Sequence, residues 1–378
     1  MDPFPRYDRS QSYEWNYDNA PGLQDIPVAD VPGQWQFCGL PVDSPLGMPA
    51  GPLLNGDWCL YYASLGFDVV TYKTVRSRSR ECYDLPNLQP VRCSQLHGGE
   101  SELSAIGRME GSWAVSYGMP SREPGSWRED IRRTRELLPP GKLLNVSVVG
   151  SVLPDWTIED LANDYAQCAR WAVESGADTV EANFSCPNVS TCDGQLYQQP
   201  GDCQLVVRAI REAIGETPFI AKVGRIATQQ DAEQLVEATH DDLDAMAMTN
   251  SIACTVVADD GTLLFDGERR GICGGATLSA SIDQTRMVAG IIRDHQCDLQ
   301  LIGVGGVGCI EDVQAYLAAG AHAVQIATAA MVTTITVVAS RILMRLDSVE
   351  PCWRSVARVR SSVDTVPLEP CREAIVVG

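Results

Sequence analysis

Short apolar runs rich in β-branched residues alternate with amphipathic stretches of helical length along most of the chain. In one such stretch, residues 158–176, the side chains of Leu161, Tyr165, Cys168 and Ala172 recur at three- and four-residue spacing, which is the period of one helix face. Apolar runs that alternate with helices are typical of parallel β/α units. The predicted strands are residues 44–51, 68–75, 143–150, 179–185, 219–224, 244–251, 300–307 and 323–330.

This arrangement of strands and helices predicts an α/β fold, a (β/α)8 TIM barrel that covers residues 37–346. A doubly wound open sheet is the alternative. Such a sheet normally carries a glycine-rich dinucleotide turn after its first strand, and the stretch GMPAGPLLNG does not match GxGxxG. Residues 1–36, rich in Pro, Asp, Tyr and Trp, are a predicted N-terminal extension that wraps on a surface or a partner subunit. Residues 347–378 are a predicted C-terminal tail.

Two long segments, residues 76–142 and 252–280, interrupt the alternation of strands and helices. Each follows a predicted strand, so in a barrel both emerge at the C-terminal face, where active sites are built. We therefore expect insertions that form a substrate lid or a dimer surface, and we predict a homodimer.

The composition limits the partners of this protein. With 378 residues, 45% of them hydrophobic, the chain can bury a sizeable core. Its net charge of −20 disfavours binding to nucleic acid. The short basic stretch VRSRSR at 75–80 is flanked by acidic residues and is interpreted as a solvated loop. No apolar run approaches the roughly 18 residues that cross a bilayer. We expect neither a nucleic-acid nor a membrane partner.

The fourteen cysteines could indicate an extracellular disulfide scaffold, but the chain is long for that class. Its N-terminus lacks a basic region followed by an apolar run, and many of the cysteines lie inside apolar segments. They are interpreted as reduced thiols of a cytoplasmic protein. Without a CxxC pair, no metal site is expected.

Polar side chains lie at the C-terminal ends of several predicted strands. Strands buried on both faces should be nearly continuous apolar runs, so a lysine inside one is costly unless it meets an anion or a polar ligand. The chain has only three lysines, and two of them occupy such places, which favours a ligand over an ion pair with a barrel carboxylate. The strand-end residues are Lys73, Asn183, Ser185, Lys222, Asn250 and Ser251.

The last two predicted strands carry the motifs GVGGV (303–307) and QIATA (325–329). Small residues let backbone N–H groups approach an anion, and in barrels phosphate groups commonly bind at this place. Together with Lys222, these motifs suggest a phosphorylated cofactor whose ring system needs a cation beside it.

In its ordered motifs NFSCPN, YKT, AKV, TNS, GGATLS, GVGGV and QIATA, the chain resembles the dihydroorotate dehydrogenases and their relatives, including the pyrimidine-reducing domain of dihydropyrimidine dehydrogenase. The resemblance runs from about FCGLPVDSPLGMPAG to QIATAA. It implies an FMN-dependent oxidoreductase of pyrimidine metabolism that moves a hydride between flavin N5 and a CH–CH bond of a dihydropyrimidine-like ring. The cysteine in NFSCPN resembles the soluble class of the family.

The resemblance also assigns roles to particular residues. Cys186 transfers the proton, a task for which a thiol with a modestly lowered pKa is suitable, and Pro187 favours extended backbone at Cys186. Lys73 lies between flavin and substrate and is counted as catalytic. Substrate binding is expected from Lys73, Asn183, Asn188, Asn250, Ser251, Gly118 and Met119. Cofactor binding is expected from Ala50, Gly51, Lys73, Thr74, Lys222, Asn250, Gly274, Gly275, Gly305, Gly306, Ala327 and Thr328.

The substrate-binding loop departs from the family pattern. Dihydroorotate binders usually present an NSMGLPN-like loop, and VSYGMPS (115–121) has Val115 and Ser121 in place of the two asparagines. A site that has lost hydrogen-bonding groups loses affinity for the polar ligand that they bind. We therefore keep a related dihydropyrimidine or cyclic amide as an alternative substrate to dihydroorotate.

Two other functions stay open. The tRNA dihydrouridine synthases also carry an Asn-x-x-Cys-Pro loop and a lysine on the next strand. They normally add a histidine near the sixth strand and a basic RNA-binding domain, whereas MAMTNSIA has no histidine and the chain is acidic. The other alternative is a non-catalytic flavin-binding barrel.

Overall fold

A closed parallel barrel forms the centre of the protein in a computed structural model, which describes residues 5–28, 31, 33–185 and 195–332. The strands in chain order are β1 (Trp35–Phe37), β2 (Leu40–Val42), β3 (Leu46–Met48), β4 (Val69–Val75), β5 (Leu88–Pro90), β6 (Glu102–Ser104), β7 (Ser112–Val115), β8 (Leu143–Val148), β9 (Thr179–Asn183), β10 (Phe219–Lys222), β11 (Ala245–Met248), β12 (Ile252–Val257), β13 (Arg270–Gly274), β14 (Gln300–Val304) and β15 (Ala323–Gln325). The barrel consists of β3, β4, β8, β9, β10, β11, β14 and β15. Because β15 pairs back with β3, the ring closes. The predicted TIM barrel is confirmed, and the open-sheet alternative is wrong.

The helices of the described residues are α1 (Tyr13–Asp18), α2 (Gly56–Ser64), α3 (Pro124–Leu137), α4 (Ile158–Glu174), α5 (Pro200–Ile214), α6 (Gln229–Thr239), α7 (Leu278–His295), α8 (Ile310–Ala318) and α9 (Thr328–Val332). Helices α2 to α8 connect successive barrel strands, whereas α1 precedes the barrel and α9 follows its last strand. Helix α3 lies inside the segment 76–142, which was expected to interrupt the β/α alternation. The last part of that segment is therefore the helix of a regular β/α unit. Its first turn contains Pro124 rather than a side-chain cap, a position that tolerates proline.

The interior of the barrel is polar on one side. Asn145 Nδ2 donates to Thr71 Oγ1 at 3.2 Å, and Thr179 Oγ1 donates to Asn145 Oδ1 at 2.8 Å. From β15, Gln325 Nε2 also donates to Thr71 Oγ1, at 3.3 Å. This last bond passes over Gly47 of the intervening β3, where a Cβ would lie 3.3 Å from Gln325 Cγ. The polar side chains thus hydrogen-bond to one another across strands, which offsets the cost of burying them.

Apolar side chains close the barrel at the N-terminal ends of its strands. The antiparallel hairpin of β1 and β2 contributes Phe37 and Val42. They pack in one buried cluster with Val69, Leu143 and Ile220, which are the first or second residues of barrel strands. A floor of this kind leaves the opposite, C-terminal end of the barrel for a ligand.

The two long insertions form one sheet. It has five strands in the order β5–β7–β13–β12–β6, and we call it the lid sheet. Segment 76–142 supplies β5, β6 and β7, and segment 252–280 supplies β12 and β13. The register pairs Trp113 with Cys273 and Val115 with Gly271. The insertions were expected at the C-terminal face, and their pairing makes them a single structural unit there.

The N-terminal segment lies against α2. Trp58 Nε1 donates to Asn16 O at 2.9 Å, and Asn55 Nδ2 donates to Tyr17 O at 2.8 Å. Within the described ranges, no helix combines the length and apolar character needed to cross a membrane. The predicted C-terminal tail, 347–378, lies outside the described residues.

Candidate active site

A cavity of about 920 Å³ lies between the C-terminal ends of the barrel strands and the lid sheet. Gly118 is not among its lining residues, and Cys186 and Asn188 lie outside the described residues. The other residues predicted for the site meet at this cavity. They are Ala50, Gly51, Lys73, Thr74, Met119, Asn183, Lys222, Asn250, Ser251, Gly274, Gly275, Gly305, Gly306, Ala327 and Thr328.

Lys73 enters the cavity wall at an irregularity of β4. The ladder between β4 and β8 shifts register between Tyr72 and Val75, and such bulges change the direction of side chains near active sites. Thr74 Oγ1 lies 3.0 Å from Ser147 Oγ of β8. Lys73 itself is buried, and its backbone N–H donates to Leu53 O at 3.0 Å. The irregularity of β4 and the backbone bond to Leu53 therefore fix the position of Lys73.

Lys222 ends β10 and faces the carboxylate of Glu181, which was not among the predicted site residues. Its Nζ lies 3.8 Å from Glu181 Oε1, and both residues line the cavity. The ion pair with a barrel carboxylate, considered as an alternative to a ligand, is thus present beside the ligand cavity. Glu181 could have been predicted from the sequence. It lies two residues before Asn183 on the same strand, and alternate residues of a strand share a face.

Two asparagines present amide groups to the cavity. Asn183 Oδ1 accepts from Ser185 N at 3.1 Å, and its Nδ2 donates to Met119 Sδ at 3.6 Å. A thioether is a weak acceptor, so a ligand oxygen would be a better partner for this N–H. Asn250 Nδ2 donates to Ser185 O, so both amides bond to the main chain of Ser185, the residue before Cys186 in the sequence.

Glycines shape the wall on the side of β14 and β15. Gly305 and Gly306 have φ of +126° and +74°, and Gly274 of the lid sheet has φ of +102°. A Cβ on Gly306 would lie 2.6 Å from Leu278 Cβ, and one on Gly274 would lie 2.1 Å from Gly111 O. Only glycine accommodates both the backbone conformation and the close approach. The main chain of this wall can therefore face a ligand directly.

The lid sheet covers the cavity with an apolar face. Leu88 pairs with Val115, and Trp113 pairs with Cys273. All four line the cavity, whereas Ala114, between two of them, belongs to the core on the other side of the sheet. Val115 is recognisable in the sequence through its departure from the family loop. The places of Leu88, Trp113 and Cys273 depend on strand pairing between distant segments.

Arg76 anchors the loop that carries Met119. Its Nε donates to Met119 O at 3.3 Å, and its Nη1 donates to Gly150 O at 2.7 Å. The side chain is buried, so the interpretation of 75–80 as a solvated loop is wrong at this residue. Ser121 does not line the cavity. Its Oγ accepts from Arg76 N at 3.1 Å and donates to Arg122 O at 2.9 Å.

The thiol of Cys82 stands close enough to Lys73 for the charges to interact. Burial nevertheless raises the pKa of Cys82 to about 12, against the opposing effect of Lys73. Burial also raises the pKa of the Tyr117 hydroxyl, in the cavity wall, well above its usual value. Both groups are protonated at neutral pH, so neither is suited to act as a base there.

The model of the family described as dihydroorotate dehydrogenase matches residues 34–349. The chain belongs to the dihydroorotate dehydrogenase family. A protein named dihydroorotate dehydrogenase from Dictyostelium discoideum is 29% identical over 352 residues, covering 86% of this chain and 94% of the relative. A dihydroorotate dehydrogenase (quinone) from Leifsonia xyli subsp. xyli is 26% identical over 290 residues, covering 76% and 77%. Membership of the dihydroorotate dehydrogenase family confirms the resemblance and the enzyme class expected from the motifs.

A solved structure shows the same fold. The Eimeria tenella dihydroorotate dehydrogenase, crystallised in complex with ferulenol, superposes with a TM-score of 0.68 and covers 88% of each chain. Its sequence is 16% identical, so this likeness concerns the architecture. The family assignment favours a dihydroorotate dehydrogenase over the tRNA dihydrouridine synthase alternative.

Proposed function

We propose that this protein is an FMN-dependent oxidoreductase that acts on the CH–CH bond of dihydroorotate or a closely related cyclic amide. The observation that carries the proposal is the meeting of two buried lysines, two asparagines and a glycine-rich wall at one cavity. These groups come from the C-terminal ends of five barrel strands (β4, β9, β10, β11 and β14) and from the lid sheet.

The residues of the cavity fit FMN. A buried cation, Lys222, suits the pyrimidine edge of a flavin, and open space surrounds the position where a Cβ of Gly51 would stand. On the side of β14 and β15, Gly305, Gly306 and Thr328 offer main chain and a hydroxyl to a phosphate. When bound, FMN supplies hydride transfer at N5. The remaining residues assigned to it are Ala50, Lys73, Thr74, Asn250, Gly274, Gly275 and Ala327.

The substrate is assigned to the space bounded by Lys73, Asn183, Asn250 and Ser251. Amide groups and a hydroxyl can satisfy the N–H and C=O groups of a cyclic amide, and Lys73 can pair with a carboxylate. Asn188, Gly118 and Met119 complete the assignment. Proton transfer is assigned to Cys186, which directly follows Ser185 in the sequence.

The proposal predicts a yellow protein that releases FMN, and not FAD, on denaturation with acid. Anaerobic addition of dihydroorotate should bleach the bound flavin, and a panel of dihydropyrimidines without the carboxylate tests the effect of Val115. A colourless protein that takes up no added FMN would contradict the proposal. Retained flavin that no member of the panel bleaches would support the non-catalytic flavin-binding barrel instead.

We also assign the protein to the cytoplasm and to a homodimer. Light scattering of the purified holoprotein tests the second assignment, with a mass near 82 kDa expected from the 41.0 kDa chain.

A further inference from the structure

Glu181 is a fully buried carboxylate in the wall of the cavity. Its exposed fraction is 0%, and among the described residues neither of its oxygens has a hydrogen-bond partner. A carboxylate in such a place is costly unless a charge or a donor compensates it. Lys222 Nζ, at 3.8 Å from Oε1, lies within ion-pair distance but beyond hydrogen-bond distance.

The neighbours of Glu181 show why packing alone does not account for it. In the parallel ladder it is paired with Ser147 of β8, whose hydroxyl is engaged with Thr74. One layer below, Thr179 and Asn145 bond to each other. Most polar groups of this network have partners other than Glu181, although Gln325 Oε1 also lacks a hydrogen-bond partner among the described residues. The Glu181 carboxylate lines the cavity and faces Lys222.

We propose that Glu181 is a positioning residue that holds the Lys222 ammonium and offsets part of its charge beneath the flavin, thereby lowering the reduction potential of the cofactor. This inference rests on the proposed function. A two-electron-reduced flavin carries more negative charge than the oxidised one, so an uncompensated Lys222 favours the reduced state. Glu181 reduces that preference, which keeps the cofactor able to pass its electrons on.

The reduction potential of FMN in Glu181→Gln tests this directly, because the substitution removes the charge and keeps the shape. We expect the ratio of reduced to oxidised flavin at a fixed potential to rise at least tenfold, which is about 30 mV for a two-electron couple. Asp68→Asn is the matched control. It removes a buried carboxylate whose Oδ1 lies 2.6 Å from Lys142 Nζ, at the opposite end of the barrel, and should leave the potential unchanged.

Binding of FMN to the apoprotein gives a second, independent readout. Lys222→Met leaves the Glu181 carboxylate unpaired in the wall of the cavity that would hold the flavin, and we expect the dissociation constant of this variant for FMN to rise at least tenfold. In the double variant Lys222→Met, Glu181→Gln most of that loss should be recovered. This comparison remains available if Glu181→Gln alone does not fold.

The outcomes separate the two proposals. If the wild-type protein binds no FMN, the proposed function fails. If it binds FMN, but Glu181→Gln has the wild-type potential, or Lys222→Met and the double variant bind FMN equally, Glu181 does not act on the cofactor and this inference is wrong. A shift of the same size in Asp68→Asn would also overturn it, because the effect would then reflect a loosened barrel.

Discussion

In the proposed function, proton transfer depends on one side chain, that of Cys186. Substitution of this residue is therefore the most direct test at the scale of a residue. Cys186→Ser should slow reduction of the bound flavin by substrate about 10²-fold or more, the range that positioned acid–base groups contribute, while the FMN content stays constant. Stopped-flow absorbance under anaerobic conditions measures the rate. Cys297→Ser, beyond the end of α7, serves as the control. An unchanged rate in Cys186→Ser would show that another group takes the proton.

Single residues also show how far the sequence could predict the site. Lys73 and Lys222 were recognisable because a lysine within an apolar strand is locally anomalous. Glu181 satisfies the same criterion, but it lies outside the family motifs, so the resemblance to the family did not separate it from the other residues of its strand. Arg76 could not be recognised, since nothing in the sequence distinguishes it from Arg78 and Arg80 of the same basic stretch, which are more exposed. Its burial follows from carbonyl groups of Met119 and Gly150, which are distant in sequence.

At the scale of elements, the turn after β14 offers a prediction about backbone conformation. Gly306→Ala should destabilise the apoprotein by about 2 kcal/mol or more, because φ of +74° is costly for alanine and its Cβ would lie 2.6–2.7 Å from Leu278. Urea unfolding measures the loss, and FMN titration should show weaker binding. Gly308→Ala is the control, since its Cβ would meet only Asp312 Oδ2 at 3.8 Å. Equal effects in both variants would contradict the argument.

The elements of the barrel and those of the lid sheet differ in how they are encoded. Each barrel strand appears in the sequence as an apolar run followed by a helix, so its existence and order follow from local periodicity. The lid strands are three to six residues long, and β6 pairs in parallel with β12 across some 150 residues of chain. No local pattern specifies that pairing. For this reason the insertions were predictable, whereas the single sheet that they build was not.

At the scale of the whole molecule, the N-terminal segment connects parts that are far apart in the chain. Arg9 Nη2 donates to Gly107 O beside the lid sheet at 2.8 Å, and Arg6 Nη1 donates to Val332 O. The rings of Tyr7 and Tyr13 lie 5.8 and 5.9 Å from that of Tyr117 in the cavity wall. These contacts couple the ordered conformation of the N-terminal segment to that of the cavity wall.

Asn16 is the residue on which the fold of this segment depends. Its side chain accepts from Asp8 N at 2.7 Å and donates to Asp8 O and Ser12 O at 2.9 Å, and it is buried. Asn16→Ala leaves Asp8 N without an acceptor, which costs about 1–3 kcal/mol, whereas Asp8 O and Ser12 O keep the backbone donors Gln11 N and Asn16 N. We expect a lower Tm and faster proteolytic cleavage near the N-terminus. Asn19→Ala, which removes one exposed bond to Trp15 O, should change little. If both variants resist protease equally, the aromatic contacts hold the N-terminal segment in place, and the hydrogen bonds of Asn16 are not needed for it.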